Sequence, residues 1–432
     1  MREMKDSRVE WIGEIPADWN IGKTLYALSM PITDGPHETP ELLDEGVPFV
    51  SAEAVSCGNG HIDFEHIRGF ISQDFYEECC KKYIPEMHDI YMIKSGATTG
   101  KVAKVETQKL FTIWSPLAVF RTNPEKCFYE YLYYFIQSDA YQKQIENKWT
   151  YGTQQNIGMR TLEKLMICFP SIAQQINIAD YLDSKCSKID EIIEKQQAII
   201  EKLKEYKLSV INEAVTQGIN PDVNMKQSEY KWIGSIPEHW NMVYAKQLFS
   251  QRKDRAFEDD EQLTASQKYG IISQKEFMDI EGRQVMQVLK GEEILKHVEK
   301  GDFVISMRSF QGGLEYSEVS GKISSAYVML IPNREKVCDR YYKWLFKSKK
   351  YISALQGTSN LIRDGQALRF SNFVQVYLPN LDLDEQKKIA DYLDDVCPKI
   401  DNEIEKREKL LEKVLEYKKS LIYEVVTGKK EV

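Results

Sequence analysis

The stretch closest to a phosphate-binding loop is Gly96-Ala-Thr-Thr-Gly100-Lys101. Such a loop needs four residues between its glycines, so that backbone N–H groups curl round a phosphate, and a Ser or Thr after the lysine to hold magnesium. Here three residues separate the glycines and Val102 follows the lysine, so nucleotide chemistry is not expected. Glu385-Gln-Lys387 has the spacing of a nuclease carboxylate–lysine pair, but it falls on the first turn of a helix-patterned segment, where an acid caps. His61 and His66 lack the acidic and cysteine company of a metal site and read as surface or turn residues. Asn123-Pro-Glu125 lacks the second proline and the aromatic of an amino-methyltransferase motif, and no G-x-G loop for S-adenosylmethionine is present. The chain reads as non-catalytic, with neither a metal nor a cofactor of its own.

Binding chemistry is better represented. The loop just described offers Lys94, Ser95, Thr98, Thr99 and Lys101, and its counterpart later in the chain is Met307-Arg-Ser-Phe-Gln-Gly-Gly313, with Arg308, Ser309 and Gln311. A second pair of segments holds Thr153, Gln154, Gln155 and Asn156, then Arg160, and Thr358, Ser359 and Asn360, then Arg363 and Arg369. Arg reads guanine and Gln or Asn reads adenine through paired hydrogen bonds in the major groove, while Ser, Thr and Lys suit phosphates. Each loop alone could be a polar turn. Their recurrence, with Gly-Thr kept and the reading residues changed, favours two readers of different targets.

The elements that must position these loops also come twice. Ile178-Ala-Asp-Tyr-Leu-Asp183 with Lys188-Ile-Asp190 returns as Ile389-Ala-Asp-Tyr-Leu-Asp394 with Lys399-Ile-Asp401, an offset of 211 residues. Trp11-Ile-Gly-Glu-Ile-Pro-Ala-Asp-Trp-Asn20 returns as Trp232-Ile-Gly-Ser-Ile-Pro-Glu-His-Trp-Asn241, a non-helical lead-in whose tryptophans are natural anchors. A repeat this long excludes short solenoid units and indicates two copies of a domain plus helix. In the first domain 46–50, 88–93, 101–105, 116–120 and 162–169 read as strands and 128–146 as an aromatic helix. The second domain follows the same order, with 302–307, 325–330 and 373–378 extended and 341–355 helical.

Both helical segments begin with capping signals, Ser171-Ile-Ala-Gln174 and Asp382-Leu-Asp-Glu385. Apolar residues then recur at sevens: Leu182, Ile189, Gln196, Leu203, Val210 in one and Leu393, Ile400, Arg407, Val414, Leu421 in the other. The intervening seam positions are read as Lys185, Ile192, Ile199, Tyr206 and Glu213, and as Val396, Glu403, Leu410, Tyr417 and Glu424. Gln196 and Arg407 interrupt the two stripes at equivalent sites, as register markers. Heptads with charged flanks indicate a coiled coil, and its economical partner is the chain's own second copy, run antiparallel.

The net charge of −9 hides a difference between the halves. Residues 1–170 carry 17 Lys+Arg against 24 Asp+Glu, whereas 219–380 carry 23 against 20. DNA affinity needs local basic surface rather than a basic average. Eight scattered cysteines without a C-x-x-C pair indicate a reduced compartment, and neither a secretory signal nor a membrane span is expected.

Taken together, the W-I-G-x-I-P-x-x-W-N lead-ins, the G-A-T-T-G-K loop, the G-T-Q-Q-N-I segment and the paired Q-x-x-I-A-x-Y-L-D…K-I-D helices resemble the specificity (S) subunits of type I restriction–modification systems. The resemblance runs the length of the chain. It implies an α+β fold with two similar target-recognition domains, 1–170 and 219–380, separated by two long antiparallel helices, 171–218 and 381–432, that form an intramolecular coiled coil. Each domain would read half of a bipartite double-stranded DNA site. Two methyltransferase subunits, holding S-adenosylmethionine, and two motor–nuclease subunits would be partners in the cytoplasm. The departure of Met307-Arg-Ser-Phe-Gln-Gly from the usual small-residue loop leaves the second domain's contacts less defined. The competing reading is a non-DNA scaffold, two protein-binding modules on a coiled-coil spacer.

Overall fold

A computed structural model of the chain describes residues 2–151, 155–282, 294–359 and 368–432. It divides into two compact units, residues 1–197 with 409–432, and residues 198–408. In the first unit, β1 (Asn20–Lys23), β2 (Thr33–Asp34), β3 (Val47–Val50), β4 (Gly69–Ile71), β5 (Ile90–Ile93), β6 (Val102–Lys104), β7 (Thr112–Ile113) and β8 (Leu117–Phe120) precede α1 (Tyr129–Gln137), α2 (Asp139–Glu146) and β9 (Met166–Phe169). The central sheet is antiparallel in the order β2-β8-β5-β6. Every residue of β5 and β8 is buried, which is why both read as unbroken apolar runs rather than alternating ones. A smaller sheet β4-β3-β7 stands beside it, and β9 pairs with β1.

The second unit repeats this plan with β10 (Asn241–Tyr244), β11 (Phe249–Arg252), β12 (Phe303–Ile305), β13 (Glu315–Tyr316), β14 (Val328–Pro332), α4 (Asp339–Lys347), α5 (Lys349–Gln356) and β15 (Tyr377–Asn380). Its central sheet runs β11-β14-β12-β13, and β15 pairs with β10. Both aromatic helices, expected as single segments, are broken in two, at Ser138 and at Ser348. Each serine hydroxyl turns back to a carbonyl, Ser138 to Phe135 at 2.6 Å and Ser348 to Leu345 at 2.7 Å. Serine competes for backbone partners in this way, and it starts a new helix more readily than it continues one. The segments 162–169 and 373–378, expected to be strands from their first residue, start as short helical turns, and only Met166–Phe169 and Tyr377–Asn380 are extended.

Two long helices, α3 (Ile172–Gln217) and α6 (Leu383–Val426), cross from one unit to the other. Ser171 and Gln174 form the expected capping box: the Gln174 N–H donates to Ser171 Oγ at 3.3 Å and the Ser171 N–H to Gln174 Oε1 at 3.0 Å. In the first unit the start of α3 lies against the end of α6. There the Tyr131 hydroxyl bonds both the Cys168 and Val426 carbonyls, and Lys418 meets Asp190 at 2.6 Å. In the second unit the end of α3 runs antiparallel to the start of α6, with Lys207 at 2.6 Å from Asp401 and Lys204 at 4.0 Å from Glu408. The two lysine–aspartate pairs are one contact made twice, because 190 and 401, and 207 and 418, each differ by the 211-residue repeat. The aspartate of each Lys-Ile-Asp motif thus bridges to the opposite helix.

The inward positions correct part of the heptad reading. Leu182, Ile189, Gln196, Leu203 and Val210 do face in, but the alternating partners are Cys186, Ile193, Ile200, Lys207 and Ala214. Ile192 and Tyr206, expected in the seam, are exposed, and in α6 Cys397, Ile404, Leu411, Lys418 and Val425 replace Val396, Glu403, Leu410, Tyr417 and Glu424. The runs Ile192-Ile193 and Ile199-Ile200 allow either spacing from sequence alone. The domain surface also covers this face, and it takes Cys186 and Ile189 into its core.

Candidate nucleic-acid interface

In the first unit β2 and β5 end, and β8 begins, at one end of the central sheet. Four segments meet there. The Lys94 N–H donates to the Pro116 carbonyl at 2.8 Å, the Ser115 N–H to Pro36 at 3.2 Å, and the Gly96 N–H to Gln155 at 3.0 Å, while the Ile157 N–H returns to Lys94 at 2.9 Å. Ser95 and Asn156 face each other across an antiparallel bridge. The two polar segments singled out in the sequence, 94–101 and 153–156, are therefore joined by backbone, although Thr153 and Gln154 lie outside the described residues.

The loop is held from below. Gly100 has a positive φ of 95° and a Cβ there would lie 2.3 Å from Gln142 Oε1, so only glycine fits. The Gln142 amide donates to the Gly100 carbonyl at 3.0 Å and the Thr99 hydroxyl to the Gly96 carbonyl at 2.7 Å. Lys101 turns back to the Ser56 carbonyl at 3.4 Å. Lys94 is only 12% exposed and its ammonium stands 3.2 Å from Asp34, which also meets Lys82 at 2.5 Å and His37 at 3.1 Å. Burial pushes the Asp34 carboxyl up, yet the adjoining lysines outweigh it and hold it below the ordinary carboxylate range. Lys94, Thr99 and Lys101 thus brace the loop, and Ser95, Thr98, Gln155, Asn156 and Arg160 remain at its surface.

The second unit builds the matching end differently. After β12 the chain turns into the short helix Ser309–Gly312. Ser309 is buried and its hydroxyl accepts the Ser306 N–H at 2.9 Å, which holds the turn. Arg308 and Gln311 are exposed. Gly313, at φ 76°, admits no side chain because the Phe346 carbonyl would be 2.0 Å from its Cβ. The Gln356 amide donates to the Phe310 carbonyl, and the Thr358 carbonyl accepts from Asn372 at 2.9 Å. Arg308, Gln311, Thr358, Ser359 and the exposed Arg369 are thereby gathered from three segments. Asn360 and Arg363 lie outside the described residues.

Three features had no signal in the spacing of motifs. One is the Asp34 hub. Another is Arg68, whose guanidinium lies 3.7 Å from the centroid of the Trp114 ring beside the first loop. The last is the outward orientation of Tyr206 and Tyr417, which spacing placed in the seam but which are 56% and 55% exposed, at positions that differ by the same 211 residues. Among the described residues, no helix is long and apolar enough to cross a membrane.

The Type I restriction modification DNA specificity domain matches residues 38–205 and again 237–413. The chain is 28% identical to a putative type I restriction enzyme MjaX specificity subunit of Methanocaldococcus jannaschii, over 97% of this chain and 95% of that one. It is 23% identical to the MjaVIII specificity subunit of the same organism, over 85% of each. Its fold is shared with a chain solved in work on complex assembly and conformational transition of the type I R-M system (TM-score 0.66, 13% identity, 96% of this chain and 99% of that one). Two matches to one specificity domain, which together cover most of the chain, and relatives named as specificity subunits lead to one conclusion: the chain belongs to the type I restriction–modification DNA specificity family, as a recognition subunit rather than a catalytic one.

Proposed function

We propose that each recognition domain, 1–170 and 219–380, reads one half of a bipartite duplex site, and that the helices, 171–218 and 381–432, set the spacer. The observation that carries this is the contrast between the displays of the two units. The glycine-fixed sheet end recurs, while the polar residues displayed on it change from Ser95, Thr98, Gln155, Asn156 and Arg160 to Arg308, Gln311, Thr358, Ser359 and Arg369. A shared scaffold with altered display suits two different half-sequences. A helix of 46 residues spans ~69 Å, ample to hold two half-sites about one turn, ~34 Å, apart.

Two methyltransferase subunits holding S-adenosylmethionine would flip and methylate the target base, and two motor–nuclease subunits would complete the complex in the cytoplasm. Tyr206 and Tyr417 support docking of two copies of one partner, since exposed aromatic residues at repeat-equivalent sites offer equal surfaces.

The spacer assignment is tested by inserting four residues, about one helical turn, near Gln196 and mapping methylation. The site's spacer should change while both half-sequences stay the same. An unchanged spacer removes the ruler. The alternative, a protein scaffold without DNA, is separated by titrating DNA binding of the chain with its methyltransferase partner against salt, because phosphate contacts give a steep slope.

A further inference from the structure

We propose that Arg68, laid on the Trp114 ring, is a specificity-determining arginine of the first domain that reads a guanine in its half-site, with Trp114 as its positioning residue. The inference rests on the half-site reading above and names a reader outside the two polar loops. Arg68 leaves the chain just before β4, where its N–H donates to the Phe49 carbonyl at 3.2 Å. Trp114 follows β7, and its N–H donates to Val50 at 2.9 Å. The tryptophan is fixed from beneath by Phe49, with ring centroids 6.4 Å apart, inside a small apolar cluster with Val47, Ile71 and Tyr76. The Arg68 guanidinium lies over this ring, 3.7 Å from its centroid.

That stack lies at the reading end of the sheet. Trp114 is two residues from Pro116, whose carbonyl takes the Lys94 N–H, and Ser115 is tied to Pro36. Loop 94–101 and the Gln155–Asn156 segment are on the same framework. Arg68 is exposed, and among the described residues its guanidinium has no carboxylate partner. Arg2 and Arg121 of the same unit are each paired with an acid, Asp18 and Asp89. A guanidinium stacked on an aromatic face directs its N–H donors outward, parallel to the ring, where they stay open to a partner. That is the geometry a guanine O6 and N7 pair requires, and the stack removes much of the rotamer freedom that an exposed arginine must otherwise lose.

Comparison of the copies points the same way. Ser115 is repeated as Ser325, but the position of Trp114 is Ser324 in the second copy. The second copy instead exposes Arg308 in the turn after β12. The ring platform is therefore a difference between the copies, as a determinant of one half-site and not of the other requires.

The test maps methylated sites directed by the full chain with its methyltransferase partner, for the unaltered protein and for R68A, R68K and W114F. R68A should accept other bases at one position of one half-site, with discrimination there falling roughly ten- to hundredfold, while the other half-site keeps its sequence. R68K should relax the same position, since a lysine keeps the charge but lacks the fork, and W114F should relax it less. An unchanged consensus in R68A overturns the assignment, as does rescue by R68K. A uniform loss at all sites with the consensus intact identifies a phosphate contact and also overturns it. If the unaltered chain directs no methylation to a bipartite site, the half-site reading itself fails, which is a separate result.

Discussion

Two buried glutamines show how far single residues hold this architecture together. Gln175 accepts the Phe128 N–H at 2.8 Å and donates to Pro170 at 3.0 Å, and Gln386 accepts the Cys338 N–H at 2.8 Å and donates to Leu381 at 2.9 Å. Each ties its own helix to its own domain, and their numbers differ by the repeat. Removing either amide strands buried backbone groups, at about 1–3 kcal/mol. Urea unfolding of Gln175→Ala and Gln386→Ala should show losses of that size, and losses under about 0.5 kcal/mol would refute the tie. His297 is a second such residue, confined to the second domain. It is buried, with Asp260 at 2.8 Å from one ring nitrogen, Glu299 at 3.0 Å from the other, and Phe257 against its ring. Burial works against the charged form, but the two carboxylates prevail and raise its pKa. A raised folded pKa gives stability that is complete below the unfolded value of ~6.5 and is lost as pH rises through the folded value. The melting temperature of the second domain should therefore fall as pH rises above about 6.5, and His297→Gln should flatten that fall. An identical pH profile in the variant would show that another group is responsible.

At the scale of elements, the long helices were legible because capping signals and sevenfold spacing are local properties. The seam was only half legible. Position-to-position spacing identifies the stripe from Leu182 to Val210, but adjacent isoleucines leave its partner stripe open until a domain packs against it. The structure chooses Ile200, which is buried, over Ile199, which is not. Ile200→Ala should cost roughly 2–4 kcal/mol and Ile199→Ala under about 1 kcal/mol, read from chemical denaturation. Equal costs would contradict the register. The breaks at Ser138 and Ser348 escaped a reading based on apolar period because both halves continue the same aromatic pattern. The polar loops were legible as segments, but their depth was not. Lys94, Thr99 and Ser309 are typical nucleic-acid-contacting residue types that the fold spends on Asp34, Gly96 and Ser306. Arg68 and Trp114 lie 46 residues apart in the chain and meet only through the smaller sheet.

For the whole molecule, the repeat explains why each domain is completed by a helix of the opposite copy. Tyr131 bonds the Val426 carbonyl and Tyr341 the Val215 carbonyl at 2.8 Å, so the lead-in and aromatic helix of one copy seat on the far end of the other copy's helix. Trp19 shares a core with Val425 and Val426, and Trp240 shares one with Ala214 and Val215. The copies agree in these scaffold contacts and diverge where polar side chains reach the surface, the pattern that two non-identical half-sites require. Genome-wide mapping of methylated adenines, with this gene present and with it deleted, tests that claim most directly. The account predicts gene-dependent methylation at a two-part sequence of unlike halves with a fixed spacer. A continuous or palindromic site, or methylation indifferent to the deletion, would contradict it.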